Sequence, residues 1–141
     1  MIRIETADGE IDVPKNYVAY MPTLYNMSQE TGNNEVPITN ISTKTMEKIL
    51  EWIQYQSEKG MTSQKLAESK VSADYKPDQF MEGWFKNLGR IEQFKVMLAA
   101  NYLEMTYLLS LLAWNIAQQI KGKTPEEINE TYYSNEPVGV L

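Results

Sequence analysis

The feature that most constrains this chain is a run near its carboxyl end that predicts a helix, Thr106–Lys121, apolar on nearly every side. Within Tyr107–Ala117 only Ser110 and Asn115 are polar. At about 16 residues the helix is shorter than the ~20 needed to cross a bilayer, and its last turns are polar. We therefore expect no membrane partner, and protein must cover the helix.

Two interpretations of this helix remain open. Leu111 and Trp114 lie off the main apolar stripe, so one core would struggle to bury both sides. The helix is either a central helix surrounded by its own chain, or a helix with one core face and one face that docks another protein. Only a short helix is predicted after it, which favours docking. The main stripe consists of Leu108, Leu112, Ile116 and Ile120.

The first 41 residues predict a small sheet with two short helices. Alternating polarity predicts strands at Ile2–Glu5 and Glu10–Val13, joined by an Asp8-Gly9 turn, and a third strand at Glu35–Ile41. Pro37 lacks a backbone donor and so indicates an edge position for the third strand. The short helices are predicted at Lys15–Tyr20 and Thr23–Gln29.

The rest of the chain predicts helices. A helix capped by Ser42 runs to Gly60, and a second, after Gly89, reaches Tyr102. The polar, aperiodic segment between them, residues 61–79, predicts the longest and most mobile loop. After Thr106–Lys121, a last helix is predicted with Thr124 as its cap, Pro125 at its first position and Glu127 closing a capping box.

Composition narrows the function. The 141 residues include no cysteine and no histidine, which removes disulfides, cysteine nucleophiles, zinc or haem sites built on those ligands, and histidine acid/base chemistry. The net charge of -6 has the wrong sign for nucleic acid. We expect no cofactor, no metal and no nucleic-acid partner. The segment Met1–Glu5 alternates in polarity without an apolar run, so we expect no signal peptide and a location in cytoplasm and nucleus.

Three segments resemble the S-phase-kinase-associated (Skp) adaptor family, the linker subunits of SCF (Skp, cullin, F-box) ubiquitin ligases. They are Ile2–Ile11, Leu98–Met105 and Ile120–Ile128, whose order and spacing match over roughly residues 1–132. The resemblance implies an α/β (α+β) chain with a BTB/POZ domain over residues 1–105. This domain is a small three-stranded sheet with a helical cluster. A C-terminal helical extension that binds the F-box follows over residues 106–141.

The resemblance also implies where partners bind. Asn101 and Tyr102 match the asparagine-tyrosine pair that faces the cullin; without the resemblance we would interpret them as a helix end with a packed tyrosine. The residues that match the F-box face, each of which could equally be core, are Leu109, Leu112, Ala113, Ile116, Ile120, Pro125, Ile128 and Tyr132.

The chain departs from the family pattern in two places. Leu112 and Trp114 stand where smaller or polar residues are expected, which predicts a more apolar F-box face. The family continues into an acidic helix whose tryptophan clasps the F-box, whereas Pro137 and Gly139 disfavour such a helix here. We therefore expect either a truncated chain or a reduced clasp.

The leading hypothesis is a non-catalytic adaptor that bridges a cullin and an F-box protein. A second hypothesis is a structural scaffold that self-associates as a homodimer through the F-box face, outside ubiquitin ligation. An enzyme is the third: Gly122-Lys123-Thr124 resembles the end of a phosphate-binding loop, but Ala117 on a predicted helix occupies the place of the loop's first glycine.

Overall fold

The amino-terminal part of the chain forms a three-stranded sheet in the computed structural model, which describes residues 1–32, 34–122 and 124–127. The strands are β1 (Ile2–Glu5), β2 (Glu10–Val13) and β3 (Glu35–Pro37), in the order β2-β1-β3. β1 pairs antiparallel with β2 and parallel with β3. The strand predictions are confirmed, including the edge position of β3, although β3 ends at Pro37 because a turn that closes with Ile41 N–H on Ile38 O follows it.

The structure describes six helices in full beside the sheet: α1 (Lys15–Val18), α2 (Pro22–Thr31), α3 (Thr43–Glu58), α4 (Ser63–Glu68), α5 (Gln79–Tyr102) and α6 (Thr106–Ile120). The predicted start of α3 is confirmed, since the Ser42 hydroxyl accepts the Thr45 N–H at 3.2 Å. No helix in the described ranges is both long enough and apolar enough to span a membrane.

The prediction of one continuous loop over residues 61–79 is wrong at α4. The Thr62 hydroxyl accepts the Lys65 N–H at 3.2 Å and begins the helix. Leu66 is 5% exposed and attaches this short helix to the core. A single buried residue is too little to produce a helical periodicity, which is why the pattern was not visible in the sequence.

Helix α5 begins earlier than predicted and changes direction at Gly89. Asp78 caps it by accepting the Met81 N–H at 2.9 Å. Gly89 has φ 73° and ψ 171°, a backbone conformation that is essentially restricted to glycine. The two parts of α5 therefore run in different directions, and α5 packs against both α3 and α6.

The core lies between the sheet, α3, α5 and α6. Each contributes side chains that are fully buried, such as Ile4, Ile49, Val96 and Leu108. One polar contact lies within this core: the Thr45 hydroxyl donates to Glu92 Oε1 at 3.0 Å, and Glu92 is 8% exposed. Because α6 belongs to the same core as the sheet, its position is fixed relative to the end of α5.

Candidate protein-binding surfaces

The turn between α5 and α6 carries the Asn101-Tyr102 pair. The Met105 N–H donates to Ala100 O at 2.8 Å and the Glu104 N–H donates to Asn101 O at 3.2 Å, which is the Schellman pattern of a helix end. That pattern needs a left-handed residue, usually glycine, and here Glu104 occupies it with φ 61°. The turn leaves both Asn101 and Tyr102 exposed, Tyr102 to 39%.

Thr23, at the start of α2, holds this turn. Its hydroxyl lies 2.9 Å from Tyr102 O and 3.1 Å from Glu104 Oε1, and can donate to either. Its N–H donates to Leu103 O at 3.4 Å. A left-handed non-glycine residue persists only where the surroundings hold it, and Thr23 supplies that restraint from a distant part of the chain.

Leu98 extends the exposed surface at this end of α5. It lies one helical turn before Tyr102 and is 42% exposed, so the two side chains share one helix face. Apolar side chains of this exposure on one face are suited to contact another protein. We did not predict Leu98, although its spacing of four residues from Tyr102 was a usable signal. We name the surface formed by Leu98, Asn101 and Tyr102 the α5-end surface.

The residues of α6 that were predicted for the F-box face are partly exposed. Ala113 is exposed, and Leu109, Ile116 and Ile120 are half-buried. Their spacing of four, three and four residues places them on one helix face. We name these four residues the α6 stripe. Leu112 does not share this exposure, because it is fully buried in the core and presents no surface to a partner.

The expectation that Leu112 and Trp114 make the docking face more apolar is therefore wrong for Leu112. Trp114 is half-buried against the chain's own aromatic residues. The Tyr75 ring meets it edge-on with centroids 4.9 Å apart, and the Phe85 ring lies 6.4 Å away. Tyr75 belongs to the segment after α4, and Phe85 belongs to α5. Trp114 therefore packs α6 against both of these parts of the chain.

The pKa shifts of two tyrosines in this region, Tyr75 and Tyr107, are those of packed side chains. Burial raises the pKa of Tyr75 to about 12, with a further increase from Tyr107. Burial also raises the pKa of Tyr107. Within the described part of the chain, no three acidic side chains are grouped in a way that could hold a metal ion.

The last predicted helix is described only at its first turn. The Thr124 hydroxyl accepts the Glu127 N–H at 3.2 Å, as the predicted cap requires, and Pro125 is exposed. Ile128 and Tyr132, also predicted for the F-box face, lie outside the described residues, as do Pro137 and Gly139.

The sheet, the helical cluster and the partly exposed α6 define a BTB/POZ-like protein whose conspicuous surfaces are suited to binding other proteins. Residues 1–58 match the model described as "Skp1 family, tetramerisation domain", and residues 106–133 match "Skp1 family, dimerisation domain". The chain belongs to the Skp1 family, which confirms the resemblance noted in the sequence and the fold expected from it.

Two relatives illustrate the similarity. The chain is 30% identical over 136 residues to the SKP1-like protein 1A of Arabidopsis thaliana, covering 93% of this chain and 82% of that protein. It is also 30% identical over 139 residues to the E3 ubiquitin ligase complex SCF subunit sconC of Emericella nidulans, covering 94% and 83%.

Proposed function

We propose that this protein is a non-catalytic adaptor subunit of an SCF ubiquitin ligase, with a cullin on the α5-end surface and an F-box protein on the α6 stripe. Membership of the Skp1 family and the SCF subunits among its relatives support the adaptor role. The structural observation that carries the proposal is the α6 stripe: Ala113 is exposed on a helix that also buries Leu108 and Leu112 fully in the core.

The adaptor acts by holding two partners at a fixed distance. Between Tyr102 and Ile120 the chain makes the turn and all of α6, whose 15 residues extend about 22 Å at 1.5 Å per residue. A rigid spacer of this kind raises the effective concentration of a receptor-bound substrate near the ligase, so that transfer becomes effectively intramolecular. The ubiquitin chemistry belongs to other subunits. In this proposal residues 1–105 form the cullin-binding domain and residues 106–141 the F-box-binding extension.

Binding to a cullin amino-terminal domain tests the α5-end surface. Tyr102→Ala should weaken this binding by roughly 30-fold or more, as the loss of an aromatic anchor does. Tyr25→Ala is the matched control, because Tyr25 is exposed to a similar extent, 46%, but lies on α2. F-box binding should be unchanged in both variants. Equal cullin affinity in the two variants would exclude the α5-end surface.

Binding to an F-box protein tests the α6 stripe separately. Ala113→Arg places a charged side chain in the middle of the stripe and should abolish F-box binding while cullin binding persists. Gln118→Arg is the control on the same helix, since Gln118 is exposed and lies off the stripe. If Ala113→Arg binds the F-box protein as well as Gln118→Arg does, the stripe is not the receptor surface.

The self-associating scaffold is not favoured, because the relative sconC is an SCF subunit. Light scattering with and without an F-box peptide distinguishes the two functions. The adaptor predicts a 1:1 complex with the peptide, whereas a dimer that ignores the peptide would support the scaffold.

A further inference from the structure

A cavity of about 50 Å³ opens at the surface where the end of α1, α4 and the start of α6 meet over Trp52 of α3. Its walls are mostly apolar or aromatic and include Tyr20, Leu66 and Met105. Glu104 and Thr106 supply polar atoms to its lining, and both are exposed. Glu104 also belongs to the turn that positions Tyr102, so the cavity adjoins the α5-end surface.

Trp52, which lines this cavity, has a buried donor that is not satisfied. The side chain is 1% exposed, and among the described residues no atom accepts a hydrogen bond from its Nε1–H. Trp84 shows the usual arrangement, since its Nε1–H donates to Lys48 O at 3.1 Å. A buried N–H without an acceptor is rare and costly, and such a group needs an explanation. A ligand in the cavity that carries an acceptor would supply one.

We propose that the cavity receives a primary-amide side chain, of asparagine or glutamine, from the cullin that binds the α5-end surface. The amide oxygen accepts the Trp52 Nε1–H, and the amide NH₂ group donates toward Glu104 at the cavity mouth. The aliphatic stem packs against Leu66 and Met105. This inference rests on the proposed function, because it takes the cullin as the partner on the adjoining surface.

Size and charge select this occupant. An aromatic ring needs roughly 150 Å³, three times the volume available here, whereas an amide group with one methylene has only a few heavy atoms. A carboxylate is disfavoured by Glu104 and by the apolar walls. A lysine or arginine brings donors only, and so leaves the Trp52 N–H without an acceptor. A primary amide combines an acceptor for Trp52 with a donor for Glu104.

The indole N–H resonances of the full chain report on the cavity directly. The sequence has three tryptophans, so a ¹⁵N-labelled sample gives three such signals. The variants Trp84→Phe and Trp114→Phe assign two of them and identify Trp52 by elimination. Propionamide should shift the Trp52 signal downfield and leave that of Trp84 in place, whereas propionate should shift neither. An unmoved Trp52 signal that instead shows exchange with one bound water would overturn the proposal.

Cullin binding gives the second measurement. Ala67→Leu narrows the cavity, since Ala67 lines it, and should weaken binding of the cullin amino-terminal domain about tenfold. Ala73→Leu is the matched control, because Ala73 is exposed and lies outside the cavity lining. In the wild-type complex the Trp52 signal should shift as it does with propionamide. Thermal denaturation confirms that both variants fold.

The outcomes separate this inference from the proposed function. If the wild-type chain does not bind the cullin domain, the proposed function fails. If it binds, but Ala67→Leu matches Ala73→Leu and the Trp52 signal does not move, the inference fails while the adaptor function stands. A shift of the Trp52 signal in the complex together with selective weakening by Ala67→Leu supports both.

Discussion

Two glycines of α5 should respond in opposite ways to the same substitution. Gly89 has φ 73° and ψ 171°, whereas Gly83 lies within regular helix. A Cβ added at either position would meet no atom of a packed neighbouring segment within 4 Å, so a clash with such a neighbour contributes at neither site. Any difference between Gly89→Ala and Gly83→Ala therefore reports backbone conformation alone. We predict that Gly89→Ala destabilises the fold and that Gly83→Ala stabilises it.

The magnitudes follow from the two backbone conformations. Holding alanine in the conformation of Gly89 costs roughly 1–3 kcal/mol, and the reduced entropy of the unfolded chain returns about 0.4–1 kcal/mol. The net loss is about 1–2 kcal/mol. At Gly83, replacing glycine in a helix interior gains about 0.5–1 kcal/mol. The two variants should thus differ by roughly 2–3 kcal/mol, or on the order of 10 °C in Tm for a chain of this size.

Urea denaturation followed by circular dichroism measures both free energies of unfolding. The slope of the free energy of unfolding against urea concentration should be unchanged in both variants, since the surface exposed on unfolding is the same. Binding of the Gly89→Ala variant to the cullin domain and to the F-box protein should be measured under conditions in which this variant is still folded. If Gly89→Ala were as stable as Gly83→Ala, α5 would run straight through residue 89 and the change of direction described above would be wrong.

Three further changes test the packing around the candidate surfaces. Thr45→Val removes the donor to Glu92 in the core and should cost about 1–3 kcal/mol in urea unfolding; a neutral result would mean that water satisfies this carboxylate. Leu112→Ala should lower the free energy of unfolding by about 2–5 kcal/mol, because Leu112 is fully buried. Leu109→Ala should lower it clearly less, because Leu109 is half-buried. Similar losses of stability in the two variants, measured by thermal denaturation, would contradict this assignment of faces. Tyr75 has a pKa raised to about 12, so its stabilising contribution is fully present below pH 10 and is lost as the pH rises through 12. In the Tyr75→Phe variant, the free energy of unfolding should therefore change less with pH in this window. An unchanged pH profile would place the phenol in water.

Alternating and helical patterns predicted most elements of the fold. β1 and β2 have the predicted bounds, and Ser42 begins α3 as expected. These elements were predictable because each has its own polarity pattern or cap within a few residues. α4 was not predicted, since its single buried residue, Leu66, gives no periodicity. The sequence also indicated a boundary at Gly89, but did not reveal that helix continues on both sides of it.

The candidate surfaces were predictable only in part. The apolar character of α6 was evident in the sequence, but which side remains exposed depends on contacts from distant segments. Trp114 is covered by Tyr75 and Phe85, and no local pattern around α6 indicates those partners. The support of Glu104 by Thr23 also joins residues far apart in the chain. Such pairings are properties of the tertiary fold, so a single sequence does not contain them in readable form.

Those distant contacts explain how one small chain can keep its two candidate surfaces in a fixed relation. Thr23 fixes the turn after Tyr102, which sets where α6 begins. Trp114, packed against Tyr75 and Phe85, opposes rotation of α6 about its axis and so fixes the direction of the stripe. An adaptor with a loose α6 would lose effective concentration, because the bound receptor would sample many orientations relative to the cullin. In the proposed adaptor, the large residue at position 114 therefore contributes to bridging through rigidity.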